Sequence, residues 1–270
     1  MNKYLATDLD GTLLYPKLKY TYVSSENIKS LKIFDGNVII VSGRNQLFVK
    51  KICKQLGIEE TYVSCNGAVV SYKGKEIFLK YIDTNILNKI INHVKNTYKQ
   101  YKIILFDNKG NLYSICDDYN RSTKMEQDYL KKHPKIGYKT NKNMNKIQKL
   151  IEQKDSITKI NVVLAEEQKL ELYNYLKDNN YNISYVICKG SLEITAPNIS
   201  KGQSLKFLTD YMQLNPNDVY VAGDDKNDIS MFETYKHSFL INHQDNLYLT
   251  DKVMFVVDKF KDIAKHIKEE

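Results

Sequence analysis

Short apolar runs in this 270-residue chain are followed at three places by residues that can attack, protonate or bind a phosphate. These residues stand in the segments Asp8-Leu9-Asp10-Gly11-Thr12, Ser42-Gly43-Arg44 and Gly223-Asp224-Asp225-Lys226-Asn227-Asp228. An aspartate carboxylate can attack phosphorus to form an acyl phosphate, and a second carboxyl group nearby can transfer the protons. Because clustered carboxylates repel one another, they favour a hard divalent cation, and Mg²⁺ prefers oxygen ligands. The residue types therefore predict Mg²⁺-dependent phosphoryl transfer.

Each residue type has a predicted role in that chemistry. Asp8 stands where a predicted strand meets a loop and is the predicted nucleophile, while Asp10 is the predicted acid and base. The Ser42 hydroxyl and the Gly43 N–H can donate hydrogen bonds to phosphate oxygens. Lys201, at the start of a predicted helix, can offset negative charge, and the helix N-terminus itself attracts anions.

The elements that must position these residues are strands and helices in alternation. The apolar runs Tyr4–Thr7, Val38–Val41 and 219–222 are rich in β-forming residues and do not alternate, which is typical of parallel strands buried on both faces. Helical periodicity follows the second run, over residues 45–56, and precedes the third, over residues 200–212. This order favours an α/β sheet with helices on both faces. Ligands bind such a sheet at the carboxyl ends of its strands, so we expect the three polar segments to meet there.

A different pattern occupies residues 83–195. Helices are predicted at residues 85–98 and 166–178, and strands at residues 102–106, 112–116, 157–164, 183–188 and 192–195. Short turns join successive strands, which favours an antiparallel sheet with helices on one face. Residues 117–156 are rich in Lys and Asn and too weakly patterned for a prediction. We therefore predict a core domain of residues 1–82 plus 196–270 and an inserted domain of residues 83–195.

Four motifs in this order resemble the haloacid dehalogenase superfamily and, within it, the Cof-type sugar-phosphatase branch with a class IIB cap. The motifs are Asp8-Leu9-Asp10-Gly11-Thr12, Val41-Ser42-Gly43-Arg44, Ser200-Lys201-Gly202 and Gly223-Asp224-Asp225-Lys226-Asn227-Asp228, with a looser match at Ser64-Cys65-Asn66-Gly67. The resemblance implies a Rossmann-like doubly wound parallel sheet with an inserted α+β cap domain that sets substrate specificity. More than 150 residues separate Ser42 from Lys201, which leaves room for such a cap.

The resemblance also implies a role for each matching residue. Magnesium would be held by Asp8, the Asp10 carbonyl and Asp224, and the phosphoryl group by the Leu9 N–H, Ser42, Gly43 and Lys201. Asp228 would support the metal, and Asn227 the phosphate. Arg44, Asn66 and Gly67 are candidates for substrate binding, but Arg44 could instead pair with a carboxylate and Asn66-Gly67 could be a simple turn. Asn242 stands where similar proteins carry an Asn-Ala pair, without the small residues that normally precede it.

Composition limits the partners of the chain. The net charge of +8 is spread over the sequence without a compact basic block that contains aromatic residues, so nucleic acid is not expected. No apolar run reaches the ~20 residues of a membrane span, and the N-terminus lacks the pattern of a signal peptide. The four cysteines are far apart and are predicted to be free thiols. We therefore expect a cytoplasmic protein with histidines mostly on the surface, and the sequence carries no signal for its oligomeric state.

The leading interpretation is hydrolysis of a small phosphomonoester, either a sugar phosphate or a phosphorylated cofactor. A phosphomutase similar to the phosphomannomutase branch is the enzymatic alternative, but it would need a basic cluster for a second phosphate, and Arg121 is the single arginine in the insert. A phospho-accepting signalling module is a further alternative, although such modules lack an equivalent of Asp10 and the large insert. A catalytically silent binding protein is the last alternative.

Overall fold

The computed structural model describes residues 3–14, 23–116, 140–188 and 190–269. Within it the chain divides into two compact units, one formed by Met1–Phe78 with Ser200–Glu270 and the other by Leu79–Ile199. Arg121 and much of the weakly patterned stretch lie outside the described residues. No helix in the described ranges is long and apolar enough to cross a membrane.

Strands and helices are numbered along the chain. The strands are β1 Tyr4–Thr7, β2 Val38–Val41, β3 Tyr62–Ser64, β4 Val69–Tyr72, β5 Lys75–Leu79, β6 Lys102–Asp107, β7 Leu112–Cys116, β8 Thr140–Asn141, β9 Ile157–Val163, β10 Ser184–Ile187, β11 Leu192–Thr195, β12 Val219–Gly223, β13 His237–Ile241 and β14 Phe255–Val257. The α-helices are α1 Ser25–Leu31, α2 Gln46–Leu56, α3 Thr84–Thr97, α4 Met144–Glu152, α5 Glu166–Asp178, α6 Lys201–Tyr211, α7 Ile229–Thr234 and α8 Ile263–Glu269.

The first unit is built on a twisted sheet in the order β14-β13-β12-β1-β2-β3-β4-β5. The pairs from β14 to β3 are parallel, and β4 turns back antiparallel to β3. Leu205 of α6 and Met231 of α7 pack with Ala6 of β1 on one face of this sheet. On the other face, the His266 ring of α8 lies 5.9 Å from the Phe239 ring of β13. Helices therefore cover both faces, and the predicted doubly wound fold is confirmed.

The second unit is a six-stranded sheet in the order β10-β11-β9-β6-β7-β8. Its strand pairs are antiparallel except β7 with β8, which is parallel. Alternate residues such as Ile103, Leu105 and Ile160 point into one core, where they meet the apolar sides of α3, α4 and α5. Strand alternation directs the intervening residues to the opposite face. Among the described elements, helices pack on one face of this sheet, as the sequence predicted.

Candidate active site

A buried lysine joins the ends of two neighbouring strands in the first unit. Asp8 directly follows β1, and its N–H donates to the Ala222 carbonyl of β12 at 2.9 Å. Lys201 is the first residue of α6, which Ser200 caps by accepting a hydrogen bond from the Gln203 N–H. The Lys201 ammonium donates to Asp8 Oδ1 at 2.6 Å and to Asp228 Oδ1 at 2.7 Å, and its side chain is 1% exposed.

Three carboxylates meet at this point. Oxygen atoms of Asp8, Asp224 and Asp228 all lie within 4.8 Å of one another. The Thr12 hydroxyl donates to Asp224 Oδ1 at 2.7 Å and fixes that side chain. Gly11 has a φ of +91°, and a Cβ atom there would lie 2.0 Å from Asp224 Oδ2. The close approach of the first loop to the acidic cluster therefore requires glycine.

The electrostatics of the cluster favour a bound cation. Burial raises the pKa of Asp8 to about 7; the charge of Lys201 opposes this rise, and the charges of Asp228 and Asp10 add to it. Burial and the neighbouring charges of Asp8 and Asp228 also raise the pKa of Asp224 well above its usual value. Burial alone would lower the pKa of Lys201, but the charges of Asp228 and Asp8 outweigh it and hold the ammonium in its charged form. Three acidic groups therefore face one cation, and their hard oxygen donors fit Mg²⁺.

Asp228 organises the loop that carries Asp224. Its Oδ2 atom accepts hydrogen bonds from the N–H groups of Asp224 at 2.9 Å and Asp225 at 3.0 Å. Its other oxygen accepts from Lys201, and the residue is 0% exposed. A Cβ atom on Gly223 would lie 2.4 Å from the Asp228 carboxyl carbon, so the strand end is shaped around this side chain. Asp228 therefore orients both the loop and the lysine.

The Asp10 side chain points to Arg44 and is not one of the three clustered carboxylates. Arg44 Nε donates to Asp10 Oδ2 at 2.6 Å, and Arg44 Nη2 donates to Asp10 Oδ1 at 2.5 Å. The guanidinium carbon also lies 4.9 Å from the centre of the Phe48 ring. This forked geometry restrains the orientation of the carboxylate. Arg44 is therefore paired with a carboxylate in this structure, and its contact with substrate stays a prediction.

The Cys65-Asn66-Gly67 segment links the second and fourth motifs. The Asn66 N–H donates to the Ser42 carbonyl at 3.2 Å, and the Asn66 side-chain oxygen accepts from Asn227 Nδ2 at 3.2 Å. All three residues of the segment have positive φ, and the Gly67 carbonyl accepts from the Ser204 hydroxyl at 2.8 Å. A Cβ atom on Gly67 would lie 2.5 Å from the Ser200 carbonyl oxygen. The segment is thus packed against α6 and does more than form a hairpin turn.

The two remaining residues predicted to bind phosphate lie in the same loops. Leu9 is fully buried directly after Asp8, and Gly43 lies between Ser42 and Arg44. The Ser42 hydroxyl accepts from the Arg44 N–H at 3.2 Å. All the residues predicted for the site therefore lie in the first unit, Lys201 at the start of α6 and the others in the segments that follow strands β1, β2, β3 and β12.

Comparison with known proteins identifies the family of this chain. The sequence profile of the haloacid dehalogenase-like hydrolases matches residues 5–262. The chain belongs to this family.

Relatives match over most of their own length. A protein of unassigned function from Mycoplasma capricolum subsp. capricolum is 28% identical over 97% of this chain and 99% of its own. Phosphatase YwpJ of Bacillus subtilis is 29% identical and covers 86% of each chain. The solved structure of a haloacid dehalogenase-like hydrolase from B. subtilis superposes with a TM-score of 0.77 at 23% identity, over 98% of this chain and 99% of that one. The family resemblance inferred from the four motifs is confirmed.

This haloacid dehalogenase-like hydrolase contains two further residues in the site that the sequence analysis missed. Asn246 Nδ2 donates to the Asp224 and Ile241 carbonyls, both at 2.9 Å, and its oxygen accepts from the His243 N–H at 2.8 Å. His243 Nε2 lies 2.8 Å from the Gly11 carbonyl oxygen and 3.7 Å from Asp224 Oδ2. His243 is thus an exception to the expectation of surface histidines.

Asn242, the residue that matched the family pattern, donates from its Nδ2 atom to Asp258 Oδ1 at 3.4 Å. The residue that holds the Asp224 loop is Asn246. The signal that points to Asn246 is the order of strands in the sheet. The loop after β13 starts beside the loop after β12, because these strands are parallel neighbours.

Proposed function

We propose that this hydrolase is a Mg²⁺-dependent phosphomonoesterase that forms an aspartyl-phosphate on Asp8. The observation that carries the proposal is the buried Asp8 carboxylate, 2.6 Å from the Lys201 ammonium and clustered with Asp224. The activity named for the B. subtilis relative, a phosphatase, supports the same reaction class.

The first step is transfer of the phosphoryl group to Asp8. The Asp8 carboxylate attacks phosphorus, and the bond between phosphorus and the ester oxygen breaks. The Leu9 N–H, Ser42 and Gly43 bind the phosphoryl oxygens, and Lys201 offsets their charge. Asn227 supports the phosphate from the neighbouring loop.

Asp10 moves the protons in both steps. In its acid form it protonates the departing alkoxide, and as a carboxylate it then takes a proton from the water that attacks the aspartyl-phosphate. The forked bond from Arg44 keeps the carboxylate in one orientation for both transfers. Arg44 therefore acts in this proposal as a positioning residue.

The metal would be held by Asp8, Asp224 and the Asp10 carbonyl, with Asp228 supporting the site. When bound, Mg²⁺ supplies positive charge beside the phosphate and offsets the excess of carboxylates. The inserted unit selects the alcohol part of a small ester, a sugar phosphate or a phosphorylated cofactor. The proposed setting is the cytoplasm, with no nucleic-acid or membrane partner.

The test is phosphate release from a panel of phosphomonoesters with Mg²⁺, for the wild type and for Asp8→Asn. We expect the variant to lose at least about a thousandfold in kcat, as nucleophile removal does in other covalent enzymes. The matched control is Asp210→Asn, which changes an exposed aspartate paired with Lys206 and should keep full activity. Equal activity of Asp8→Asn and wild type would refute the nucleophile assignment, and transfer of phosphate within the substrate would indicate a mutase.

A further inference from the structure

The loop that follows β13 contacts two loops that carry the acidic cluster. His243 Nε2 lies 2.8 Å from the carbonyl oxygen of Gly11, in the loop after β1. Asn246 Nδ2 donates to the carbonyl of Asp224, in the loop after β12, at 2.9 Å. We call His243 and Asn246 the clamp residues.

The clamp residues hold each other in place. The His243 N–H donates to Asn246 Oδ1 at 2.8 Å, and the Asn246 N–H donates to the His243 carbonyl at 3.2 Å. Asn246 Nδ2 also donates to the Ile241 carbonyl at 2.9 Å, and the residue is 3% exposed. Because a side-chain amide has two N–H donors, the bonds to Ile241 and Asp224 use both of them. The orientation of the Asn246 side chain is therefore fixed, and so is the backbone that carries His243.

The contact with Gly11 defines which ring nitrogen of His243 carries a proton. A backbone carbonyl only accepts hydrogen bonds, so Nε2 must be the donor. The same N–H group lies 3.7 Å from Asp224 Oδ2, where its positive end favours the ionised carboxylate. A ring nitrogen that carries a proton cannot ligate a metal at the same time. Nε2 therefore acts on the acidic cluster through Gly11 and Asp224.

The clamp residues restrict a loop that contains a necessary glycine. A Cβ atom on Gly11 would lie 2.0 Å from Asp224 Oδ2, but glycine also leaves the backbone free to adopt many conformations. The bond from His243 limits that freedom. Thr12 holds the Asp224 side chain at 2.7 Å, and Asn246 holds the Asp224 backbone at 2.9 Å. The loops after β1 and β12 are therefore held in place by the protein itself.

We propose that the clamp residues are positioning residues that set the affinity of the acidic cluster for Mg²⁺. This inference rests on the proposed function, because it takes the cluster to be the magnesium site. Gly11 directly follows Asp10, whose carbonyl is a proposed ligand, and Asp224 is another. Loops that are ordered in advance lose little conformational entropy when a cation binds, so the clamp residues should make binding tighter.

The experiment measures the Kd of Mg²⁺ by calorimetric titration of the wild type and two His243 variants. His243→Leu removes the donor to the Gly11 carbonyl and should raise the Kd at least about tenfold, as the loss of a group that orients metal ligands does. His243→Gln keeps an N–H donor at the end of its side chain and should bind Mg²⁺ more tightly than His243→Leu. Asn246→Ala should raise the Kd by a similar factor, and if it fails to fold, the His243 variants decide.

The matched control is Thr209→Val, near the C-terminal end of α6. The buried Thr209 hydroxyl oxygen lies 2.7 Å from the Tyr235 hydroxyl oxygen. Loss of this hydrogen bond should lower the melting temperature without metal and leave the Kd of Mg²⁺ unchanged. A merely structural role for His243 would give the same pattern in His243→Leu.

The outcomes separate this inference from the proposed function. An unchanged Kd in His243→Leu, or equal weakening by His243→Gln and His243→Leu, overturns the role of the clamp residues and leaves the phosphatase reaction standing. A wild type that binds no Mg²⁺ overturns both the inference and the magnesium dependence. If the wild type binds Mg²⁺ but hydrolyses no ester, the proposed function alone fails, and the Kd values still decide about the clamp residues.

Discussion

The two units of this hydrolase each bury a lysine beside carboxylates, but the balance of charge differs. In the first unit Lys201 faces Asp8 and Asp228, with Asp224 in the same cluster. In the second unit Lys159 is paired with Glu193. The first cluster has negative charge left over, which a cation from solution can offset. The second joins one lysine to one carboxylate. The same kinds of residue therefore form an acidic cluster in one unit and an ion pair in the other.

Replacing each lysine by methionine tests this contrast most severely. Lys201→Met leaves two buried carboxylates without their cation and should lower the free energy of unfolding by about 3–5 kcal/mol. Lys159→Met leaves Glu193, whose side chain is 11% exposed, and should lower it by about 1–3 kcal/mol. Urea unfolding at pH 7.5 without metal measures both. Equal losses would contradict the contrast.

Gly11→Ala should distinguish an effect on the proposed metal site from an effect on general stability. The new Cβ atom would lie 2.0 Å from Asp224 Oδ2, so we expect the Mg²⁺-dependent rise in melting temperature to disappear. Displacement of this carboxylate should also lower kcat by about 100-fold. Gly36→Ala is the matched control, because Gly36 also has a positive φ, +81°, but no atom lies within 4 Å of its added Cβ. A Gly11→Ala variant that still responds to Mg²⁺ would refute the role of this loop.

Magnesium should stabilise the protein more at high pH than at low pH. The pKa of Asp8 is raised from 3.8 to about 7 without metal, so the folded state holds a proton that the unfolded state releases. The stability from this group is therefore present below pH 4 and is lost as the pH rises through 7. Mg²⁺ needs the ionised carboxylates, so the gain in melting temperature should be larger at pH 8 than at pH 5.5. Scanning calorimetry with Mg²⁺ or EDTA measures this gain, and Asp224→Asn should abolish most of it.

The smallest expected effect lies in the second unit. Ser114→Ala removes a buried hydroxyl that has no hydrogen-bond partner among the described residues and should leave the melting temperature unchanged or raise it slightly. Ser156→Ala removes a hydroxyl that donates to the Leu150 carbonyl and should cost about 1 kcal/mol. A loss of stability in Ser114→Ala as large as that in Ser156→Ala would show that the Ser114 hydroxyl is already paired within the protein.

The sequence predicted the strand ends of the first unit because their signals are local. The apolar runs that became β1 and β2 were bounded correctly, and the loops that follow β1, β2 and β12 contain Asp8, Ser42 and Asp224. The helix predicted at residues 45–56 is α2, with Asn45 as its N-cap and Gly57 in the left-handed conformation after its end. These elements are set by short-range patterning and capping.

What the sequence missed depends on which strands become neighbours. Asn246 reaches Asp224 because β13 lies beside β12, and Lys159 of β9 meets Glu193 of β11 because these two strands pair in the sheet. The helix α4 lies in a stretch whose Lys and Asn content hid its two buried residues, Ile147 and Ile151. Pairing and burial of this kind are decided by tertiary packing, for which a single sequence carries no periodic signal.

The discontinuous sheet of the first unit has a consequence for how the chain acquires its structure during synthesis. The central strand β1 pairs on one side with β2 and on the other with β12, which is more than 200 residues further along the chain. The second unit is one continuous segment, Leu79–Ile199, and every described strand of its sheet has been translated before β12 appears. Domains fold as their residues leave the ribosome, so the inserted unit can complete its sheet first. Lys201 and Asp224 can join Asp8 only after the whole inserted unit has been translated.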